Sequence, residues 1–148
     1  MLKIEKLFFG SLIAFSLIVG GLLYRIFTVL NNYESVETVQ FTYHDFGSFV
    51  TYGVPVTYLV LLILANFIFM KSGKSRYFAW SFFFFAVFTI VDYVFAGEAY
   101  FHFTKEAGLW KGGFSVTGFA GLFLCFVAFI VTMTNYLICN TIKKIKTR

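Results

Sequence analysis

Four long apolar runs fill most of this 148-residue chain and limit its fold more than any other feature. They extend over about residues 7–30, 49–70, 77–101 and 114–138. Each run is close to the roughly 20 residues that a helix needs to cross a hydrocarbon core of about 30 Å. The runs predict an all-α integral membrane protein, a four-transmembrane-helix up-down bundle that forms a single membrane domain over residues 1–148. The outer loops are expected at about residues 31–48 and 102–113.

The composition argues against a large soluble domain in this chain. Hydrophobic residues make up 59% of the sequence and charged residues 13%, with a mean hydropathy of +0.82. Soluble domains carry roughly 25% charged residues. The sequence contains no Walker loop, no GxSxG or HExxH motif and no dinucleotide-binding fingerprint. Any function is therefore expected within the helical bundle or on its rims.

The positive charges fall mainly on one side of the predicted bundle. The net charge is +5. The basic residues that precede the first run, join the second to the third and follow the fourth are Lys3, Lys6, Lys71, Lys74, Arg76, Lys143, Lys144, Lys146 and Arg148. The positive-inside rule predicts that both termini are cytoplasmic and that the protein is a multi-pass protein of the cytoplasmic membrane. Basic flanks favour anionic lipid headgroups as partners, and nucleic acid is not expected.

The fourth run carries a stripe of small and polar residues at helical spacing. Its members recur at alternating intervals of three and four: Gly118, Gly121, Cys125, Ala128, Thr132, Asn135 and Cys139. The first run has a shorter version in Gly10, Ala14, Ser16 and Gly20. Small residues let helices approach closely in lipid, where packing holds helices together. The stripe therefore predicts a helix-packing surface, used inside the chain or against another subunit.

Two charged residues lie within the apolar runs at similar depth. Ionisable groups inside a bilayer cost roughly 2.5 to 3.5 kcal/mol each on insertion scales, so each needs a partner, water or a function. Counted from the cytoplasmic end at about 1.5 Å per residue, Arg25 and Asp92 reach nearly the same height. We expect an intramembrane ion pair between them that fixes the bundle, with ion or proton movement as the alternative role.

Four further residues form a candidate metal site at the outer rim. His44 and Asp45 lie in the first outer loop, where apolar and polar residues alternate over 39–44 and predict an extended segment. Glu98 and His102 are four residues apart and share one helix face. If the loop folds over the bundle, two imidazoles and two carboxylates converge and suit a divalent metal such as zinc, iron or manganese. Apart from this metal, no cofactor is predicted.

Three classes of function remain open from these residues. The leading hypothesis is a small inner-membrane accessory or interaction subunit that packs on a larger complex or on copies of itself. The second is a membrane-embedded enzyme or cofactor binder with its site at the outer rim, although no evident catalytic set supports enzyme activity. The third is an oligomeric channel or transporter that uses Arg25, Asp92 and Glu98 as a polar path.

Overall fold

The computed structural model of the protein describes residues 2–32, 35–110, 112 and 116–146. Its secondary structure is helical throughout, with α1 (Lys3–Asn32), α2 (Val36–Ser72), α3 (Arg76–Ile90), α4 (Gly97–Glu106) and α5 (Thr117–Lys146). A π-helical segment, Val91–Ala96, joins α3 to α4 into one continuous helix. The four long helices are each apolar and long enough to cross a membrane, as the four runs predict.

The segment predicted to be extended is instead the beginning of α2. This helix starts at Val36, so that most of the predicted outer loop 31–48 is helical. Val39, Thr42 and Phe46 are buried at intervals of three and four, and this helical period outweighs the short alternation over 39–44. Ser35 caps the helix, because its hydroxyl accepts a hydrogen bond of 3.1 Å from the Thr38 amide.

The other predicted boundaries also move outwards into longer helices. α4 continues to Glu106, which shortens the predicted outer loop 102–113. The predicted first residue of the fourth run, Phe114, lies outside the described residues, and α5 extends to Lys146. Hydropathy marks only the lipid-facing part of each helix, whereas the backbone hydrogen bonds continue past it.

α2 is the most buried of the four long helices. In the most apolar 18-residue stretch of α2, 39% of the residues are buried, compared with 11% in the corresponding stretch of α1 and 17% in that of α5. Its buried side chains include Val50, Val54, Tyr58, Leu61 and Ile68. Because α2 contacts α1, α3 and α5, it carries the centre of the hydrophobic core.

One end of the molecule, which we call the basic end, is held by two lysines. Lys74 forms a 2.6 Å ion pair with Glu5, a carboxylate that is only 1% exposed. α2 ends at Gly73, which adopts φ +72 and donates its amide to the Phe69 carbonyl at 2.8 Å. Lys143 donates to the same carbonyl at 3.0 Å. These contacts join the start of α1, the turn between α2 and α3, and the end of α5.

The predicted stripe of α5 faces the rest of the chain. The buried residues of α5 are Gly121, Ala128, Thr132 and Cys139, and all four belong to the stripe. The Tyr58 hydroxyl donates to the Ala128 carbonyl at 2.9 Å and lies 2.7 Å from the Thr132 hydroxyl.

Further along the stripe, the side-chain amide of Asn135 donates to Asn66 Oδ1 at 2.9 Å. The Cys139 thiol lies 3.1 Å from the same oxygen. The stripe is thus in contact with α2 of the same chain along its middle and its last turns.

Candidate binding site

The π-helical segment places Asp92 inside the molecule. The Gly97 amide donates to the Asp92 carbonyl five residues earlier, so the helix is locally widened. α5 lies close against this segment, because a Cβ atom added to Gly121 would lie 2.8 Å from the Tyr93 Cβ. Single π-helical turns occur often at functional sites, since they re-aim side chains that a regular helix would direct elsewhere.

A cavity of about 670 Å³ opens beside Asp92, which we call the Asp92 cavity. It lies between α2 on one side and the π-helical segment, α4 and the start of α5 on the other. The described lining residues are Glu37, Gln40, Phe41, Tyr43, His44, Gly47, Ser48, Thr51, Asp92, Tyr93, Tyr100 and Thr117. Its volume is in the range of pockets that bind small molecules.

The charge of the cavity is negative. Asp92 is 5% exposed and makes no hydrogen bond or ion pair with any described residue. Glu37 is the second carboxylate in the lining, and no lysine or arginine occurs among the lining residues that the structure describes. An ionised carboxylate that faces a cavity without a protein partner would be stabilised by a positively charged occupant that pairs with it.

Aromatic rings form another part of the wall. Tyr43 of α2 and Tyr100 of α4 are stacked, with ring centroids 3.9 Å apart and planes at 5°. Tyr93 follows Asp92 directly and lines the same cavity. Ring faces of tyrosine attract cations within about 6 Å, so the wall complements the carboxylate.

A proline in α2 adds an acceptor near Asp92. Pro55 has no amide hydrogen and therefore cannot donate to the Thr51 carbonyl, which loses its usual helical partner. Thr51 lines the Asp92 cavity, and both Thr51 and Pro55 line a smaller cavity next to it. Unpaired backbone carbonyls at membrane depth are tolerated mainly where they face protein or a cavity.

The structure does not bring Arg25 and Asp92 together. Arg25 lies on the exposed side of α1, next to the buried Ile26, whereas Asp92 is buried against α2. Within the described part of the chain, the ion pair is the one between Lys74 and Glu5. The expected Arg25–Asp92 pair is therefore not formed.

The four residues of the expected metal site are also separate. His44, Asp45 and His102 are exposed, and of the four only His44 lines the Asp92 cavity. Glu98 accepts a hydrogen bond of 3.3 Å from the Thr117 hydroxyl of α5. Among the described ranges, no group of three or more His, Cys, Asp or Glu side chains is close enough to hold a metal ion.

Most of the lining residues were not singled out by the sequence. On α2 the missed signal is a polar stripe at helical spacing: Glu37, Gln40, His44, Ser48 and Thr51. These residues fall in and next to the predicted outer loop 31–48. The alternation of apolar and polar residues over 39–44 favoured an extended segment there, although the polar residues also fit the helical period of three to four. In the structure the five residues share one face of α2, and this face lines the same cavity as Asp92.

No protein-family model matches this chain, and no curated protein or solved structure is significantly similar to it. A function for the Asp92 cavity therefore has to be inferred from the residues that line it.

Proposed function

We propose that this protein is a multi-pass membrane protein that binds a small organic cation in the Asp92 cavity. The observation that carries this proposal is a buried, unpaired carboxylate that faces a cavity of about 670 Å³ with a second carboxylate and stacked tyrosines in its wall. Ionisable residues at membrane depth mark substrate or ion pathways when they face a cavity. A protonated amine would pair with Asp92 and lie against the tyrosine rings.

The proposed role of this binding is transport, and one-sided access to Asp92 supports it. The cavity extends from Glu37 in the first turn of α2 to Asp92. Towards the basic end, the interface of α2 and α5 is closed by the Tyr58–Thr132 and Asn66–Asn135 contacts. A carrier alternates between states open to either side, and a site open to one end fits one such state.

The orientation that we propose follows the charges. The two lysine contacts bring together the start of α1, the α2–α3 turn and the end of α5, where most basic residues are. The positive-inside rule would place this basic end in the cytoplasm, with both termini, and would let the Asp92 cavity open to the outside. The four helices would then alternate up and down in the cytoplasmic membrane.

Binding of n-butylamine to the full-length protein in nanodiscs, measured by calorimetry, tests the proposal. We expect n-butylamine to bind and Asp92→Asn to weaken its binding by about 10-fold to 100-fold, because a charge-assisted contact contributes roughly 1.5 to 3 kcal/mol. Butyrate, which has the same length and the opposite charge, should not bind.

Asp45→Asn is the matched control for this experiment. It makes the same chemical change on an exposed residue of α2 that does not line the cavity, so butylamine affinity should stay within about twofold. Equal losses in both variants would mean that general surface charge attracts the amine. Absence of butylamine binding to the unmodified protein would overturn the proposal.

A second candidate function, association through α1, is favoured by a separate observation. Gly10, Ala14, Gly20 and Gly21 are exposed on α1, and a Cβ atom added to any of these glycines would meet no atom within 4 Å. The stripe of α5 is occupied within the chain, whereas these small residues are open to another helix. Gly10, Ala14 and Gly21, at intervals of four and seven, share one face of α1, and an accessory or homo-oligomeric role would use that face.

Native mass spectrometry from mild detergent tests this second role. A dimer or a bound partner should be lost in Gly10→Leu, since a larger side chain keeps the helices apart. Gly118→Leu is a matched control, because Gly118 lies on α5, lines neither cavity and also has no atom within 4 Å of an added Cβ. A strict monomer without partners would remove this candidate.

A further inference from the structure

Asp92 lies at the junction of two cavities. Beside the Asp92 cavity lies a smaller one of about 150 Å³, which we call the inner cavity. Thr51, Asp92 and Tyr93 line both. The inner cavity is lined in addition by Val50, Val54, Pro55, Phe85, Thr89 and Leu124. The carboxylate therefore has a large polar space on one side and a small, mostly apolar space on the other.

The size and lining of the inner cavity set what it can hold. Val50, Val54 and Phe85 are buried and provide an apolar wall. An engineered protein cavity of about 150 Å³ holds one benzene molecule. A single ring or a short branched alkyl group therefore fits a space of this size, whereas a naphthyl group is expected to fit it less well.

Two polar side chains in the lining of the inner cavity, Asp92 at its junction with the Asp92 cavity and Thr89 inside it, have no partner among the described residues. Asp92 and Thr89 are 5% and 3% exposed, and neither makes a hydrogen bond with a described residue. Thr51, whose carbonyl lacks the Pro55 amide as a helical partner, lines the same cavity. An ammonium group carries three hydrogen-bond donors, and the carboxylate of Asp92 and the hydroxyl of Thr89 are two acceptors in this lining.

We infer that the ligand is an amphiphilic amine, in which a protonated amino group binds Asp92 and a single ring fills the inner cavity. This inference rests on the proposed cation-binding function and specifies the class of cation. The ring lies among Val54, Phe85 and Leu124, and a two-carbon linker leads to the ammonium group at Asp92. The larger Asp92 cavity provides the entry and holds any further polar substituents.

A series of three amines tests the inference in the full-length protein in nanodiscs. 2-Phenylethylamine is expected to bind at least tenfold more tightly than n-butylamine, because its ring displaces no ordered polar contact and buries more apolar surface. 2-(2-Naphthyl)ethylamine is expected to bind more weakly than 2-phenylethylamine, although it is more hydrophobic. Partition into the bilayer would instead rank the three by hydrophobicity, and that order overturns the inference.

Changes in the inner cavity should alter this ranking in a defined way. Leu124→Trp fills the cavity and should remove the tenfold advantage of 2-phenylethylamine, whereas Leu122→Trp, on the exposed side of α5, should keep it. Val54→Ala enlarges the cavity and should raise the affinity for the naphthyl compound relative to the phenyl compound. The Val54→Ala result decides the question if Leu124→Trp does not fold.

The outcomes separate this inference from the proposal on which it rests. If butylamine and 2-phenylethylamine bind with equal affinity and both depend on Asp92, the cation site stands and the ring site is wrong. If neither amine binds, the cation site itself is overturned. An unchanged ranking in Val54→Ala would also contradict the ring site.

Discussion

Two regions of the molecule each contain a buried carboxylate, and the two carboxylates have opposite surroundings. At the basic end, Glu5 is 1% exposed and is satisfied by Lys74 at 2.6 Å and by the Leu2 amide at 2.8 Å. Near the middle of the continuous helix Arg76–Glu106, Asp92 is 5% exposed, has no such partner among the described residues and faces two cavities. One acid is enclosed by protein, and the other is left open to a ligand.

This difference separates a structural charge from one that is available for function. A buried ion pair with additional hydrogen bonds compensates its desolvation and fixes the helices that carry it. A buried acid without a partner weakens the fold when it is ionised, and a cationic ligand would supply the missing charge. Stability should therefore depend on Glu5 and its partners, and ligand binding on Asp92.

The largest effect on stability is expected from Lys74→Met. This change leaves Glu5 buried without its cation and should lower the thermal unfolding midpoint by on the order of 10 °C. The effect is smaller than for a fully buried pair, because the Lys74 side chain is 41% exposed. Lys71→Met, an exposed lysine of the same turn, is the control and should shift the midpoint by less than about 2 °C. Equal shifts would show that the turn needs positive charge rather than this contact.

A somewhat smaller loss is expected where α5 meets the segment that carries Asp92. Gly121→Leu forces a side chain against Tyr93 and should cost about 2 kcal/mol through overpacking, and it should also weaken amine binding. Gly118→Leu, one turn earlier with no atom within 4 Å of an added Cβ, should leave both unchanged. Thermal unfolding and calorimetry on the same nanodiscs measure the two effects, and a tolerant Gly121→Leu would contradict the close contact.

Asp92→Asn should change stability in the opposite direction from Lys74→Met. An amide is less costly to bury than an unpaired carboxylate, so the ligand-free protein should become more stable by about 1 kcal/mol while it loses amine binding. Asp45→Asn, on the exposed side of α2, should change neither property. Destabilisation by Asp92→Asn would indicate that the carboxylate has a structural role that its surroundings do not suggest.

The number and nature of the helices could be predicted from the sequence because lipid imposes a simple rule. A long apolar run has to satisfy its backbone internally, and a helix does so in a single segment. The boundaries were less predictable, because the first part of α2 carries polar residues such as Glu37 and Gln40 that face a cavity rather than lipid. A polar cavity wall and a loop have similar composition and differ only in period.

The candidate site could be predicted only in part. Asp92 was found because a charge inside an apolar run is costly. Its surroundings were missed because they depend on the π-helical segment at Val91–Ala96, which has no sequence signal that propensities detect. The close approach at Gly121 belongs to the predicted stripe, but the spacing of the stripe does not show that Tyr93 is the neighbour. Residue counting predicts similar depths for Arg25 and Asp92, but depth does not fix the direction in which a side chain leaves its helix.

The smallest effect concerns Arg25 and Asp92 as a pair. Arg25 is exposed on α1 and Asp92 is buried against α2, so the two side chains should be energetically independent. A double-mutant cycle of Arg25→Gln and Asp92→Asn, followed by thermal unfolding, should give a coupling energy below about 0.3 kcal/mol. A cycle of Glu5→Gln and Lys74→Met is the positive control, because these side chains are in contact and should be coupled clearly. Strong coupling of Arg25 to Asp92 would mean that an ion pair forms in the membrane. Asp92 would then be a paired structural charge like Glu5, and the proposed cation site would be wrong.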